Sequence, residues 1–176
     1  TVYGGTGVRS AVPYHLKEYP YRLEAGTQNL AGIAGLCAGL KWVQEKGLEN
    51  IYSHEIELLA MLQEGIINIP GVEIRGTKKL TNRVATLSMT IDGYDASDVG
   101  TILDVEYNIQ TRTGLHCAPL IHEHCGTTPR GTVRLSVGPF NTREHITTTI
   151  AAIAEVAADR TPTAKPSEAR SQASAE

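Results

Sequence analysis

Apolar residues recur at intervals of three and four from residue 30 onward. Leu30, Ile33, Leu36, Cys37, Leu40 and Val43 fall on one stripe, which predicts a helix ending at Lys46-Gly47 with Cys37 as a small core residue. A second helix is predicted over residues 50–63, with Ile51, Leu58, Leu59 and Leu62 in register and Ile69-Pro70-Gly71 closing the connection behind it. The period then changes from helical to two. Val72 to Arg75 reads as a short strand. Over residues 84–91, Ala85, Leu87, Met89 and Ile91 alternate with Thr86, Ser88 and Thr90, the pattern of a strand with one buried face. Asp95 is placed to cap a helix over residues 96–105, in which Val99, Ile102 and Leu103 face inward. Strands follow over residues 109–113 and 132–137. Asn141-Thr-Arg-Glu144 then reads as the cap of a last helix carrying Ile146, Ile150, Ile153 and Val156. The order β-β-α-β-α-β-α from residue 72 to 158 predicts a small two-layer α/β domain.

The ends of the chain have a different texture. Residues 1–29 scatter Gly4, Gly5, Gly7, Gly26, Pro13 and Pro20 among tyrosines and charges, which predicts a binding loop that leans on another surface. Residues 160–176, rich in Ser, Ala, Pro and Thr, predict a disordered tail. At 176 residues and 41% hydrophobic content the chain has enough material for a core. Sixteen basic against nineteen acidic residues give a formal net charge of −3, which argues against nucleic acid or an anionic membrane as a partner. No apolar run approaches the roughly 20 residues that span a bilayer, and the first residues do not form a signal peptide. Three cysteines, an odd count, suit a reducing compartment better than a disulfide framework. A soluble, cytoplasmic protein is expected.

Most of the candidate chemistry lies in residues 112–120, Arg112-Thr-Gly-Leu-His-Cys-Ala-Pro-Leu. Pro119 suits the first position of a short helix, which places Cys117 near that helix's N-terminus. Unpaired N–H groups there, with His116 beside it, favour a thiolate. The alternatives are a reactive cysteine and a buried structural one. His116, Cys117, His122, His124 and Cys125 are dense enough to suggest a metal, but no pair has the spacing that supplies two ligands from one helix face, so no metal is expected. Thr1 as an N-terminal nucleophile is a further possibility, set against its being simply where the sequence starts. Arg112 and Arg134, on neighbouring predicted strands, can grip a carboxylate bidentately or form ordinary ion pairs. Gly4-Gly5 and Gly26-Thr27 can offer N–H groups and a hydroxyl to a phosphate.

Five segments taken together resemble one family: Tyr3-Gly-Gly-Thr-Gly, the run from Tyr21 through Gly26-Thr27 to Ile33, Arg112-Thr-Gly-Leu-His-Cys117-Ala, Thr132-Val-Arg134-Leu-Ser and Phe140-Asn-Thr142. Their order and spacing are similar to the C-terminal half of class V aminotransferase-type enzymes of fold type I, which depend on pyridoxal phosphate. The motif around Cys117 is similar to the SUF-type cysteine desulfurase and selenocysteine lyase branch. The resemblance implies a loop (residues 1–29) and connecting helices (30–70) from a large domain, then the small C-terminal domain (71–159). It implies that Cys117 receives sulfur from L-cysteine as a persulfide while alanine is released, with His116 beside it. Arg134 would anchor the substrate carboxylate and Arg112 would support the loop. Gly4, Gly5 and Thr27 would reach the cofactor phosphate across a homodimer, and a sulfur-acceptor protein would take the product.

The sequence departs from the family in two places. No segment matches the one that carries the Schiff-base lysine, and Lys17, Lys41, Lys46, Lys78 and Lys79 lie in other contexts, so the chain reads as the last part of a longer enzyme that is inactive alone. Leu115 stands where many relatives have a second histidine. The competing expectations are an aminotransferase or lyase without a catalytic cysteine, and a cofactor-free binding or sulfur-relay domain.

Overall fold

In the computed structural model, residues 13–159 are described together with Gly5, Arg9 and Ala11; Gly4 and the tail expected at 160–176 lie outside the described residues. The chain divides into two compact units, Thr1–Leu48 and Glu49–Glu176. In the first, a single 3-10 turn at Tyr21–Leu23 precedes helix α1, Leu30–Lys46. Asn29 caps α1 by accepting from the Gly32 N–H at 2.9 Å, and Gly47, at φ +79°, ends it where Lys46-Gly47 predicts. The stripe of α1 differs from expectation, since none of its residues is buried. Leu30, Leu36 and Leu40 are each more than half exposed, and Cys37 is a free, exposed thiol rather than a core residue.

The second unit carries α2 (Leu48–Ile66), β1 (Val72–Arg75), β2 (Thr86–Ile91), α3 (Ala96–Tyr107), β3 (Arg112–Gly114), α4 (Pro119–His124), β4 (Thr132–Ser136) and α5 (Arg143–Ala158). The strands form one antiparallel sheet in the order β1-β2-β4-β3. Registers Ile74 with Met89, Leu87 with Leu135, and Met89 with Val133 line up the apolar positions across the sheet. These side chains share one core with Leu58, Leu59, Leu62 and Ile66 of α2, Val99 and Leu103 of α3, and Ile146, Ile153 and Val156 of α5. Fully burying each such side chain stabilises by about 1.5–3 kcal/mol, so this face fixes the register. The result is the expected mixed α/β architecture, with a small antiparallel sheet and helices in a second layer.

Differences from the sequence reading gather at element ends, where side chains find other partners. Asp95 sits at the N-cap of α3 but makes no capping bond; its carboxylate pairs with Arg130 at 3.2 Å. The capping box of α5 is shifted by one residue, joining Thr142 to His145, because the Asn141 side chain accepts from the Gly138 N–H. β3 is later than expected, since Asn108 ends α3 in the left-handed conformation and the chain needs several residues to regain extension. The start of β4 is held by a close approach. Gly131 has φ +73°, and a Cβ built on it would lie 2.2 Å from the Gly114 carbonyl, inside hard contact. Gly131→Ala should therefore push β3 from β4 and destabilise the protein by about 2–4 kcal/mol, read as a fall in the denaturation midpoint. An unchanged midpoint would show that the two strands tolerate separation.

Candidate active site

Residues opposite one another in an antiparallel sheet share a face. Arg112 pairs with Arg134, Arg134 with Ser88, and Ser88 with Arg75, so three guanidiniums and one hydroxyl lie in a single row across the face turned away from the core. Arg75 is answered by Glu73 at 2.6 Å and donates from Nε to Thr90 Oγ1 at 3.1 Å. Arg112 and Arg134 have no carboxylate partner among the described residues, and the buried Nε of Arg134 has no acceptor there. Like charges directly opposite are unfavourable, and an unsatisfied buried donor costs about 1–3 kcal/mol. An anion bridging the two guanidiniums relieves both. The expected Arg112 and Arg134 are thus brought together, in a form suited to a carboxylate.

Beyond Gly114 the chain turns a tight corner. The Ala118 N–H donates to the Leu115 carbonyl at 2.8 Å, closing a turn whose central residues, His116 and Cys117, have φ of +51° and +57°. Two successive positive φ values are ordinarily supplied by Asn, Asp or Gly; at other residues each costs on the order of 1–3 kcal/mol. Cys117 is free and exposed on this corner. It does not cap α4: the N-cap is Ala118, Pro119 takes the first helical position as predicted, and the helix runs only six residues. The corner, rather than a helix terminus, presents the thiol.

His116 joins the corner to the arginine face. Its Nε2 lies 3.2 Å from Thr132 Oγ1, Thr132 shares the sheet face with Arg134, and its Nδ1 is buried without a partner among the described residues. Burial first, then the neighbouring Arg134, holds its imidazole below the ordinary histidine value; a hydrogen bond with Thr132 acts the other way, and His122 and Arg112 add to the lowering. The ring is therefore neutral at pH 7, where it can both accept and donate a proton.

The sequence weighs His122 only as a metal ligand and gives no sign of its burial or of its bond to the buried Thr127. In α4 the apolar Leu120 and Ile121 are exposed whereas His122 is buried, an inversion that hydropathy alone does not signal. Among the described residues no three of His, Cys, Asp and Glu come together in a group that could hold a metal ion. Among the same residues no helix is long and apolar enough to cross a membrane. Within the first unit, the Gly26 N–H donates to the Gly5 carbonyl at 2.5 Å, so Gly5 and Gly26-Thr27 meet ahead of α1. A cavity of about 320 Å³ runs from Glu24 past Thr27 to Ile33. Exposed Thr27 and the first turn of a 17-residue helix fit a phosphate there.

Two measurements follow from this geometry. Arg134→Gln should raise the stability of the anion-free protein by about 0.2–1 kcal/mol, because it removes a like-charge pair, and should abolish the rise in Tm expected on adding a small anion such as sulfate. A Tm shift that survives the substitution would place anion binding elsewhere. The lowered value of His116 means that its contribution to stability is present above the unfolded value near 6.5 and is lost as pH falls through its folded value. NMR titration should give a His116 midpoint below about 6.5, and His116→Asn should flatten the stability profile in that window. A midpoint at or above 6.5 would contradict the burial.

Known proteins resemble this chain in sequence and in fold. A probable cysteine desulfurase of Xylella fastidiosa (strain 9a5c) is 40% identical over 137 residues, which are 78% of this chain and 32% of that protein. A probable cysteine desulfurase 2 of Mycobacterium leprae is 34% identical over 134 residues, covering 76% of this chain and 31% of its own length. The chain thus spans about a third of the length of these curated relatives. Among solved structures, the apo cysteine desulfurase of Thermococcus onnurineus NA1 superposes with a TM-score of 0.77 at 31% identity, covering 89% of this chain and 39% of that one. The cysteine desulfurase CsdA of Escherichia coli, in its S-sulfonic acid form, gives 0.71 at 27% identity, with coverage of 88% and 37%. The family model for aminotransferase class-V matches residues 1–148, and the chain belongs to that family.

Proposed function

We propose that this chain is the sulfur-receiving part of a pyridoxal-phosphate-dependent cysteine desulfurase acting on L-cysteine. The observation that carries the reading is the exposed, free Cys117 on a left-handed corner, next in sequence to a neutral His116 and to the face bearing Arg112 and Arg134. An amino-acid substrate needs its carboxylate held and its sulfur offered to a nucleophile. Arg134, assisted by Arg112, holds the carboxylate through charge-assisted bonds. Gly4, Gly5 and Thr27 hold the cofactor phosphate, in a homodimer where they serve the partner's site. When bound, the cofactor withdraws electrons from the substrate carbons. The Cys117 thiolate attacks the substrate sulfur, so that an S–S bond forms as the substrate C–S bond breaks. The electron pair stays with the substrate carbon, which takes up a proton and leaves as alanine. His116 is the neutral imidazole placed to handle a proton beside the thiol. Selenocysteine is a chemically equivalent substrate for the same nucleophile, and a sulfur-acceptor protein in the cytoplasm relieves Cys117 of the persulfide.

Only desulfuration needs a protein thiol to accept the sulfur; amino transfer and other lyase reactions do not. In the complete cofactor-loaded protein, Cys117→Ala should release almost no sulfide or alanine from cysteine, while Cys37→Ala and Cys125→Ala remain active. Mass spectrometry after one turnover should find an added sulfur on the peptide containing Cys117. Full sulfur release by Cys117→Ala would reassign the protein to the aminotransferase or lyase chemistries.

A further inference from the structure

His122 is the buried residue of α4, only 5% exposed. Its Nδ1 lies 2.7 Å from the Oγ1 of Thr127, which is also buried. The Thr127 hydroxyl is 3.3 Å from the His122 carbonyl, and the Thr127 N–H donates to that same carbonyl at 2.9 Å. With its one proton turned to the carbonyl, Oγ1 accepts from Nδ1–H, which fixes both the plane of the imidazole and its tautomer. The centroid of that ring is 5.7 Å from the centroid of His116, with the planes tilted by 42°. A chain of contacts therefore runs from Thr127 through His122 to His116, and His116 is one of the two residues held at positive φ.

Local backbone preference does not favour that corner, because neither His nor Cys chooses successive left-handed conformations in the way Asn-Gly does. Side-chain contacts supplement the backbone bond from Ala118 to Leu115: His116 bonds to Thr132 and packs on His122. Thr132 is fixed by the sheet and is 1% exposed; His122 is fixed by Thr127. We propose that His122, locked by Thr127, is a positioning residue for sulfur transfer: it braces the ring of His116 and so keeps Cys117 on the corner that presents its thiol. The inference deepens the cysteine desulfurase reading and rests on it.

A brace of this kind affects the sulfur-transfer step more than capture of the carboxylate by the arginines. In the complete cofactor-loaded protein, Thr127→Val removes the hydroxyl at nearly constant volume. It should lower kcat for alanine release about fivefold to tenfold, as expected for one buried hydrogen bond, with KM for cysteine changed less than about twofold. Thr127→Ser should restore kcat. In a His116→Asn background, Thr127→Val should cause no further loss, since the ring it braces is gone. The His116 ring resonances should also shift on Thr127→Val, a readout independent of turnover. Should Thr127→Val fail to fold, His122→Asn keeps a donor toward Thr127 but lacks the ring, and a similar fall in kcat is expected. If kcat and the His116 resonances stay unchanged while Cys117→Ala abolishes persulfide formation, the brace is overturned and the desulfurase reading stands. If Cys117→Ala still releases sulfur, the reading itself fails and the brace with it.

Discussion

The register of β4 against its two neighbours is the constraint from which both the core and the site follow. Val133 and Leu135 point into the core, and because side chains alternate, Thr132 and Arg134 must point the other way. A slip of one residue would bury a guanidinium and expose two aliphatic side chains, a change that the apolar layer beneath forbids. The same register sets Arg112 against Arg134 and Gly114 against Thr132, so the edge strand delivers its arginine and the turn beyond it together. The Gly131 to Gly114 approach gives this pairing no slack.

On that rigid layer the chain collects features that are unfavourable by themselves. Among the described residues, two arginines face each other without a carboxylate between them, a guanidinium N–H and an imidazole nitrogen are buried without partners, and His116 and Cys117 adopt positive φ. Each works against folding by an amount comparable with a single packing contact. They gather on β3, the corner beyond it and β4, on the sheet face opposite the core, which is the pattern of a surface shaped for a ligand rather than for stability.

Much of this arrangement can be read from the residues, and the rest cannot for definite reasons. The alternation of Ala85, Leu87, Met89 and Ile91 makes the second strand visible because one face is buried along its length. The pairing of Arg112 with Arg134 follows once two strands are placed side by side. Left-handed His116 and Cys117 leave no trace in the sequence, since neither residue type is chosen for that conformation and the compensation comes from Thr132, distant along the chain. His122 is hidden in the same way, as a polar residue buried directly after the exposed apolar pair Leu120-Ile121, and its partner Thr127 lies beyond the helix end. The stripe of α1 predicts a helix correctly but says nothing of what covers it, because periodicity reports a face and not its neighbour.

The arginine row also shapes what happens before any contact is made. The chain carries a formal net charge of −3, yet the guanidiniums of Arg112 and Arg134, without a carboxylate partner among the described residues, stand together at the β3 edge of one sheet face, while Arg75 toward the other edge is neutralised by Glu73. The potential over that face therefore rises from β1 toward β3. A small anion diffusing above the sheet is drawn down this gradient to the edge where Arg134 and Arg112 meet, whereas a large polyanion encounters the negative remainder of the surface as well. Added salt, which shortens the reach of the field to about 10 Å at 0.1 M, slows arrival before it weakens the hold.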